Sequence, residues 1–215
     1  NSLKSRNIVE TKCILFPNWI DTQQIKIKGN KVNPYRKDLK IQDDEIVIHY
    51  SGSLNKKQGI EILIDAMDIL KNQENLVWVI AGEGPSKGEL IRRTQNQFFK
   101  VHIMPLQPLE RISDWLTLAD IHVLPQRRAA ADLVLPSKLL GMLASSKPIV
   151  AISPKQSELG KIADIAGIQI ENESPGDFAK AIMNLAKDKE KREKKGNNGR
   201  TIAENNYEKS KVLRK

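Results

Sequence analysis

Three features of the sequence predict an α/β fold: a doubly wound, mostly parallel sheet with helices on both faces. Short Val- and Ile-rich runs alternate with longer amphipathic stretches from Glu45 onward, the pattern left by repeated βαβ units. The runs are apolar at successive positions, which suits strands buried on both faces. Gly and Pro mark several of the junctions between runs and stretches, where the chain must turn.

Six strands are predicted, at Glu45 to Tyr50, Val77 to Ala81, Val101 to Met104, Ile121 to Leu124, Pro148 to Ile152 and Gly167 to Ile170. Helices are predicted between and after them, at Gly59 to Asn72, Pro85 to Gln97, Leu109 to Leu118, Ser137 to Ser145, Ser157 to Ala163 and Pro175 to Lys187. In the first helix Ile60, Leu63, Ile64, Met67 and Leu70 recur every three or four residues, giving one apolar face to lay on the sheet. Ahead of the first strand, Thr11 to Phe16 is a further candidate strand, closed by the turn chemistry of Pro17-Asn18 and Asp21. Gln23 to Gln42 is polar, basic and poorly periodic, and reads as a linker or loop. The architecture is Rossmann-like, with no internal repeat.

A length of 215 residues fits one α/β domain with extensions. With 40% hydrophobic and 28% charged residues, the chain is not a largely disordered one. The +9 charge favours anionic partners. Much of that excess falls in Lys187 to Arg200, on a predicted surface helix, so charge alone selects no partner. Nucleic acid is not expected, because no reading motif or aromatic platform is present. A single cysteine, Cys13, excludes an intramolecular disulfide, and no Cys/His cluster has metal-ligand spacing. No apolar run approaches the ~18 residues of a membrane span, and the N-terminus lacks a signal-peptide pattern. A cytoplasmic protein is expected, with any membrane contact peripheral and at the inner face.

In open α/β sheets, ligands bind beyond the carboxyl ends of the strands. Three junctions there stand out. In Ser51 to Gly59, Gly52 and Gly59 let backbone approach a ligand, while Lys56 and Lys57 offset phosphate charge near the next helix; an ordinary loop with surface lysines has the same composition. In Ala81-Gly82-Glu83-Gly84-Pro85 a strand ends in G-x-G and proline starts a helix, which a tight turn also explains. In Gln126 to Lys138, a long loop ends at Pro136-Ser137, where free helix N–H groups and a lysine form an anion site. Ser137 serves equally as an N-cap. The first and third junctions flank the same end of one sheet, as a diphosphate requires.

At these residues the chain resembles the large family of retaining glycosyltransferases with the GT-B fold, which includes many sugar transferases of lipopolysaccharide, capsule and exopolysaccharide assembly. Cys13-Ile14-Leu15-Phe16-Pro17-Asn18-Trp19-Ile20-Asp21 is similar to the family's PNG-x-D passage into its second domain. Tyr50-Ser51-Gly52-Ser53-Leu54 with Lys57-Gln58-Gly59, Ala81 to Pro85, Ala119 to Pro125 and Leu135-Pro136-Ser137-Lys138-Leu139 follow in the family's order. The likeness is strongest to a colanic-acid branch, through YSG, KQG, ADLVLPSKL and MLAS, a branch associated with deoxysugar transfer.

The resemblance implies hexosyl or deoxyhexosyl transfer from a nucleotide diphosphate sugar to a saccharide or lipid-linked acceptor, in bacterial cell-surface polysaccharide biosynthesis. A non-catalytic nucleotide-sugar-binding or scaffold module is the alternative. By position the chain matches the C-terminal, donor-binding half. Residues 1–42 are then an incoming strand and linker from a missing N-terminal domain, 43–203 the donor-binding domain, and 204–215 a truncated helix. Gly52, Ser53, Lys56, Lys57, Ser137 and Lys138 are expected at the diphosphate. Gly82, Glu83, Gly84, Leu106, Arg127, Asp132, Leu135 and Pro136 are expected in loops around sugar or nucleotide. The family commonly has Arg and Lys where this chain has Ser53 and Gln58, leaving Lys56 and Lys57 as substitutes. Its paired glutamates, E-x7-E, fall near Leu133 and Gly141, with Asp132 the nearest acid to the first. No catalytic side chain is assigned. No metal or other cofactor is expected, since lysines and helix N-termini supply the positive charge.

Overall fold

The computed structural model describes residues 18–27, 32–95, 100–127 and 135–214. Among them, six strands form one parallel sheet: β1 (Ile46–Ser51), β2 (Leu76–Ala81), β3 (Lys100–Met104), β4 (Ile121–Leu124), β5 (Ile149–Ile152) and β6 (Gly167–Ile170). Their order is β3-β2-β1-β4-β5-β6. Each lies within one residue of its predicted position. The order reverses between β1 and β4, which opens a crevice at their carboxyl ends.

A short helix, α1 (Pro34–Asp38), precedes the sheet. One helix then follows each strand: α2 (Ile60–Ile69), α3 (Lys87–Thr94), α4 (Ile112–Thr117), α5 (Ser137–Ala144), α6 (Glu158–Ala166) and α7 (Pro175–Ala186). Helices α8 (Lys189–Ile202) and α9 (Lys209–Val212) close the chain. Strand alternation divides the core between the two faces. Ile48, Tyr50, Trp78, Ile80, Val150 and Ile152 pack with Leu63 and Met67 of α2 and Phe178 and Ile182 of α7. On the other face, Val47, Val77 and Val79 meet Tyr35 and Trp115. Leu124, Ile149 and Ala151 meet Leu140, Leu143, Leu159 and Ile162 of α5 and α6. Burying each large apolar side chain contributes about 1.5–3 kcal/mol before entropy is subtracted.

Two segments differ from the sequence expectation. Within Gln23 to Gln42, read as linker or loop, Pro34–Asp38 is helical. Asn33 caps it by accepting from Tyr35 N at 3.0 Å, with proline in the first turn. Five residues are too few to show a helical period, so burial is what identifies the helix. Arg36 Nη1 donates to Asp120 Oδ2 at 2.9 Å, Arg36 Nη2 to Glu45 O at 2.6 Å, and Val47 N to the same Asp120 oxygen at 2.9 Å. These bonds fasten α1 to the amino ends of β1 and β4, opposite the ligand crevice.

The second difference lies within 204–215, expected as a single truncated helix. Instead α8 ends at Ile202 and a π-helical turn, Ala203–Tyr207, leads into α9. Tyr207 is buried and its hydroxyl donates to Glu158 Oε1 at 2.8 Å. Ile20 N donates to Tyr207 O at 2.9 Å and Lys209 N to Ile20 O at 2.9 Å. Paired backbone of this kind resists fraying. The Lys-rich helix α8 is exposed along much of its length, as expected, and rests on its glycines: a Cβ on Gly196 would lie 2.1 Å from Ser146 O. Among the described residues, no helix is long and apolar enough to cross a membrane.

Candidate functional site

The junctions singled out in the sequence meet at the carboxyl end of the sheet. Backbone bonds join them: Gly52 N to Ala81 O (3.0 Å), Leu54 N to Glu83 O (2.8 Å), Gly82 N to Met104 O (3.2 Å) and Arg127 N to Lys57 O (3.2 Å). Gly59 has φ +66°, and a Cβ there would lie 1.8 Å from Pro125 O. At Gly82 a Cβ would lie 1.9 Å from Gly52 O. These glycines therefore let one loop pack against the next. The expectation that Gly59 gives a ligand access to backbone is corrected on this point, because Pro125 already fills that side. Gly84 lies in the same junction as Gly82 and approaches Leu54 backbone.

Gly52 is different. The atom nearest to a Cβ there would be Lys138 Nζ, at 3.2 Å. Lys138, in the first turn of α5, crosses the crevice so that Nζ donates to Gln58 Oε1 at 2.7 Å and stands 4.7 Å from the centre of the Tyr50 ring. Burial lowers its pKa from the usual lysine value to about 8. The Tyr50 hydroxyl donates to Ser53 O at 2.7 Å, and burial raises its pKa. Lys56 and Lys57 form an exposed 3-10 turn after Asn55, whose Oδ1 accepts from Gln58 N at 3.0 Å. Ser53 is exposed beside this turn.

Helix α5 begins at Ser137, and Pro136 occupies the cap position without a side-chain hydrogen bond. The N-cap alternative for Ser137 thus does not hold. Among the described residues no side chain caps the first turn of α5, and the positive end of its helix dipole stands at the crevice.

The other candidates are placed differently. Arg127 follows β4 closely but pairs with Glu61 and, at 2.6 Å, with Glu173, so its guanidinium ties the ends of three βα units together. Glu83 is exposed and bridges to Lys87 at 2.6 Å. Leu106 is exposed after β3, whereas Leu135 packs on the α5–α6 core cluster. Asp132 and Leu133 lie outside the described residues. A side chain at Gly141 would meet Leu116, 3.0 Å from its Cβ.

Sequence reading missed Tyr50 and Gln58, which hold Lys138, and the two glutamates that hold Arg127. It also missed Gln126 and Ser153, buried just beyond β4 and β5, where Gln126 Oε1 and Ser153 Oγ have no hydrogen-bond partner among the described residues. A polar residue one or two positions past an apolar strand was the available signal. A groove of about 590 Å³ lies elsewhere, along the edge strand β6 between α6, α7 and α8. It is lined by charges of both signs and includes none of the candidate crevice residues. Among the described residues, no three His, Cys, Asp or Glu side chains are grouped as metal ligands.

By fold the chain is a doubly wound, Rossmann-like α/β domain. Residues 31–202 match the family described as Glycosyl transferases group 1, and the chain belongs to that family. It is similar to WcaI of Escherichia coli (strain K12), named for glycosyl transfer in colanic acid biosynthesis, with 32% identity over 166 residues. That match takes in 76% of this chain and 40% of WcaI, so the chain spans well under half of that relative. The C-terminal domain of LpcC, a group 1 glycosyl transferase from Francisella tularensis, shares the fold with a TM-score of 0.70 and 23% identity, covering 88% of this chain and 99% of that one. HepE of Anabaena, solved in complex with UDP and glucose, superposes with a TM-score of 0.81 at 15% identity, covering 99% of this chain and 58% of HepE.

Proposed function

We propose that this chain binds a nucleotide diphosphate sugar and, with an N-terminal domain, transfers its hexosyl or deoxyhexosyl group to a saccharide or lipid-linked acceptor in cell-surface polysaccharide biosynthesis. The observation that carries this reading is the contact of Lys138 with Gln58 above Gly52, beside the start of α5. A partly buried cation and a helix N-terminus face one crevice, the arrangement that binds phosphate. As the bond from the sugar's anomeric carbon to the diphosphate breaks, negative charge grows on the leaving oxygens. Lys138 and the N–H groups of α5 stabilise that charge, with Lys56 and Lys57 adding a weaker, solvent-screened contribution. The acceptor oxygen forms the new glycosidic bond to the anomeric carbon as the bond to the diphosphate breaks, and its proton passes to the departing diphosphate. No metal is required by this scheme.

A non-catalytic donor-binding or scaffold role is favoured by one observation. Position 141, near which the family resemblance expects an acid, holds a glycine, and a Cβ there would lie 3.0 Å from Leu116.

A transferase assay with candidate donors and a lipid-linked acceptor, run on this chain and on the chain joined to an N-terminal domain, tests the reading. Binding by both with turnover only by the longer protein is expected, because acceptor positioning supplies about 7–11 kcal/mol of a barrier. Comparable turnover by this chain alone would require a complete active site within it. Binding without turnover in either form would favour the non-catalytic role.

A further inference from the structure

We infer that Gln58 is a positioning residue, whose side-chain carbonyl holds the Lys138 ammonium over Gly52 to receive the diphosphate of a nucleotide ligand. The inference rests on the donor-binding reading above and assigns a role within that site to a neutral residue.

The two side chains come from βα junctions 80 positions apart and meet across the crevice at 2.7 Å. Lysine alone would not hold this position. Its four-carbon stem is flexible, and the Tyr50 ring, which the ammonium also faces, attracts it without a fixed direction. Gln58 supplies the direction and is itself held. Its N–H donates to Asn55 Oδ1 at 3.0 Å and Asn55 O at 3.1 Å, and the adjoining Gly59 is wedged against Pro125 O. A preset cation loses less entropy on binding than a mobile one.

The chemistry of the holder matters as much as its place. A carbonyl oxygen uses one of the three ammonium donors and leaves the charge intact, whereas a carboxylate would cancel it. Facing Lys138 are Tyr50 from β1, the Gly52 backbone and Gln58 from the turn before α2. Among the described residues, no carboxylate pairs with Lys138, and desolvation is the cause of its lowered pKa.

The test is calorimetric titration of the 215-residue chain with UDP, ADP and GDP from pH 7 to 9, where a terminal phosphate, with its second pKa of about 6, stays ionised. The wild-type chain should lose affinity as pH rises through about 8. In Gln58→Glu, affinity at pH 7 should drop about tenfold, the loss of one charge-assisted contact, and the pH midpoint should rise. In Gln58→Leu, affinity should also drop and the midpoint should fall. Lys138→Ala should abolish the pH dependence. Thermal melts identify any loss caused by misfolding, and the near-isosteric Gln58→Glu keeps the test open if Gln58→Leu unfolds. Wild-type affinity and midpoint in both Gln58 variants would overturn the positioning role while leaving the donor site standing. Failure of all three nucleotides to bind the wild-type chain would overturn the site itself.

Discussion

Lys138 Nζ, carried by the helix after β4, lies 2.7 Å from Gln58 Oε1, carried by the turn after β1. This contact spans the position where the strand order reverses, and it makes one polar crevice of two loops far apart in sequence. Lys138 is also partly withdrawn from water, while Lys56 and Lys57 stand exposed. The three candidate lysines are therefore unequal.

Lys138→Ala should weaken nucleotide diphosphate binding by about 1–3 kcal/mol, the range for one charge-assisted contact. The double change Lys56→Ala and Lys57→Ala should cost less, because solvent screens exposed charges. Calorimetry at one ionic strength checks the ranking. A larger loss in the double variant would move the phosphate to the outer face of the loop.

Donor binding should be unaffected by EDTA and by added magnesium or manganese, since protein groups are proposed to supply the positive charge. The measurement is the UDP dissociation constant with and without each addition. A strict requirement for a divalent ion would refute the metal-free scheme.

The chain should lose stability as pH falls from about 6.5 toward 3. His49 and His122 are fully buried in register on β1 and β4, with Nδ1 atoms 3.1 Å apart. Burial pushes His49 down to about 3, and burial, helped by neighbouring His49 and Lys147, holds His122 well below 6.5. Below pH 6.5 the unfolded chain takes up protons that the folded chain refuses, so the stability present above 6.5 declines. His102, also lowered by burial, acts in the same direction. Urea midpoints at pH 7.5 and 5 should differ, and His49→Leu should reduce the difference. Equal midpoints in the wild-type chain would show that the pair protonates without unfolding.

Arg36→Ala should destabilise the fold by about 3–5 kcal/mol, because it leaves Asp120 buried without the guanidinium. Replacing both partners with apolar residues should cost less than the single change. Paired denaturation curves in a double-mutant cycle measure this difference, and strict additivity would count against a direct pairing.

Gly59→Ala should destabilise by about 1–2 kcal/mol from the left-handed backbone alone, with a further cost from the contact with Pro125 O. Gly88→Ala is the control, since nothing beyond its own helical turn and chain neighbours lies within 4 Å of a Cβ there. Equal melting temperatures for the two variants would contradict the loop-on-loop packing.

The sequence by itself determined the sheet. Six apolar runs recur at βα spacing, and each became a strand within one residue of its predicted position, because strands buried on both faces record their environment in consecutive residues. The ends of those strands, and hence the candidate junctions, were legible for the same reason. Only the tertiary structure decided which residues cooperate there. Lys138 meets Gln58, Arg127 is occupied by Glu61 and Glu173, and Gly59 and Gly82 serve neighbouring loops. The helix Pro34–Asp38 depends on a buried ion pair to a residue 84 positions away, and the last turns of the chain depend on Ile20. Local patterning records whether a residue is buried, but a hydrogen bond or ion pair is specified by two distant residues together, and neither shows the partner until the fold brings them into contact.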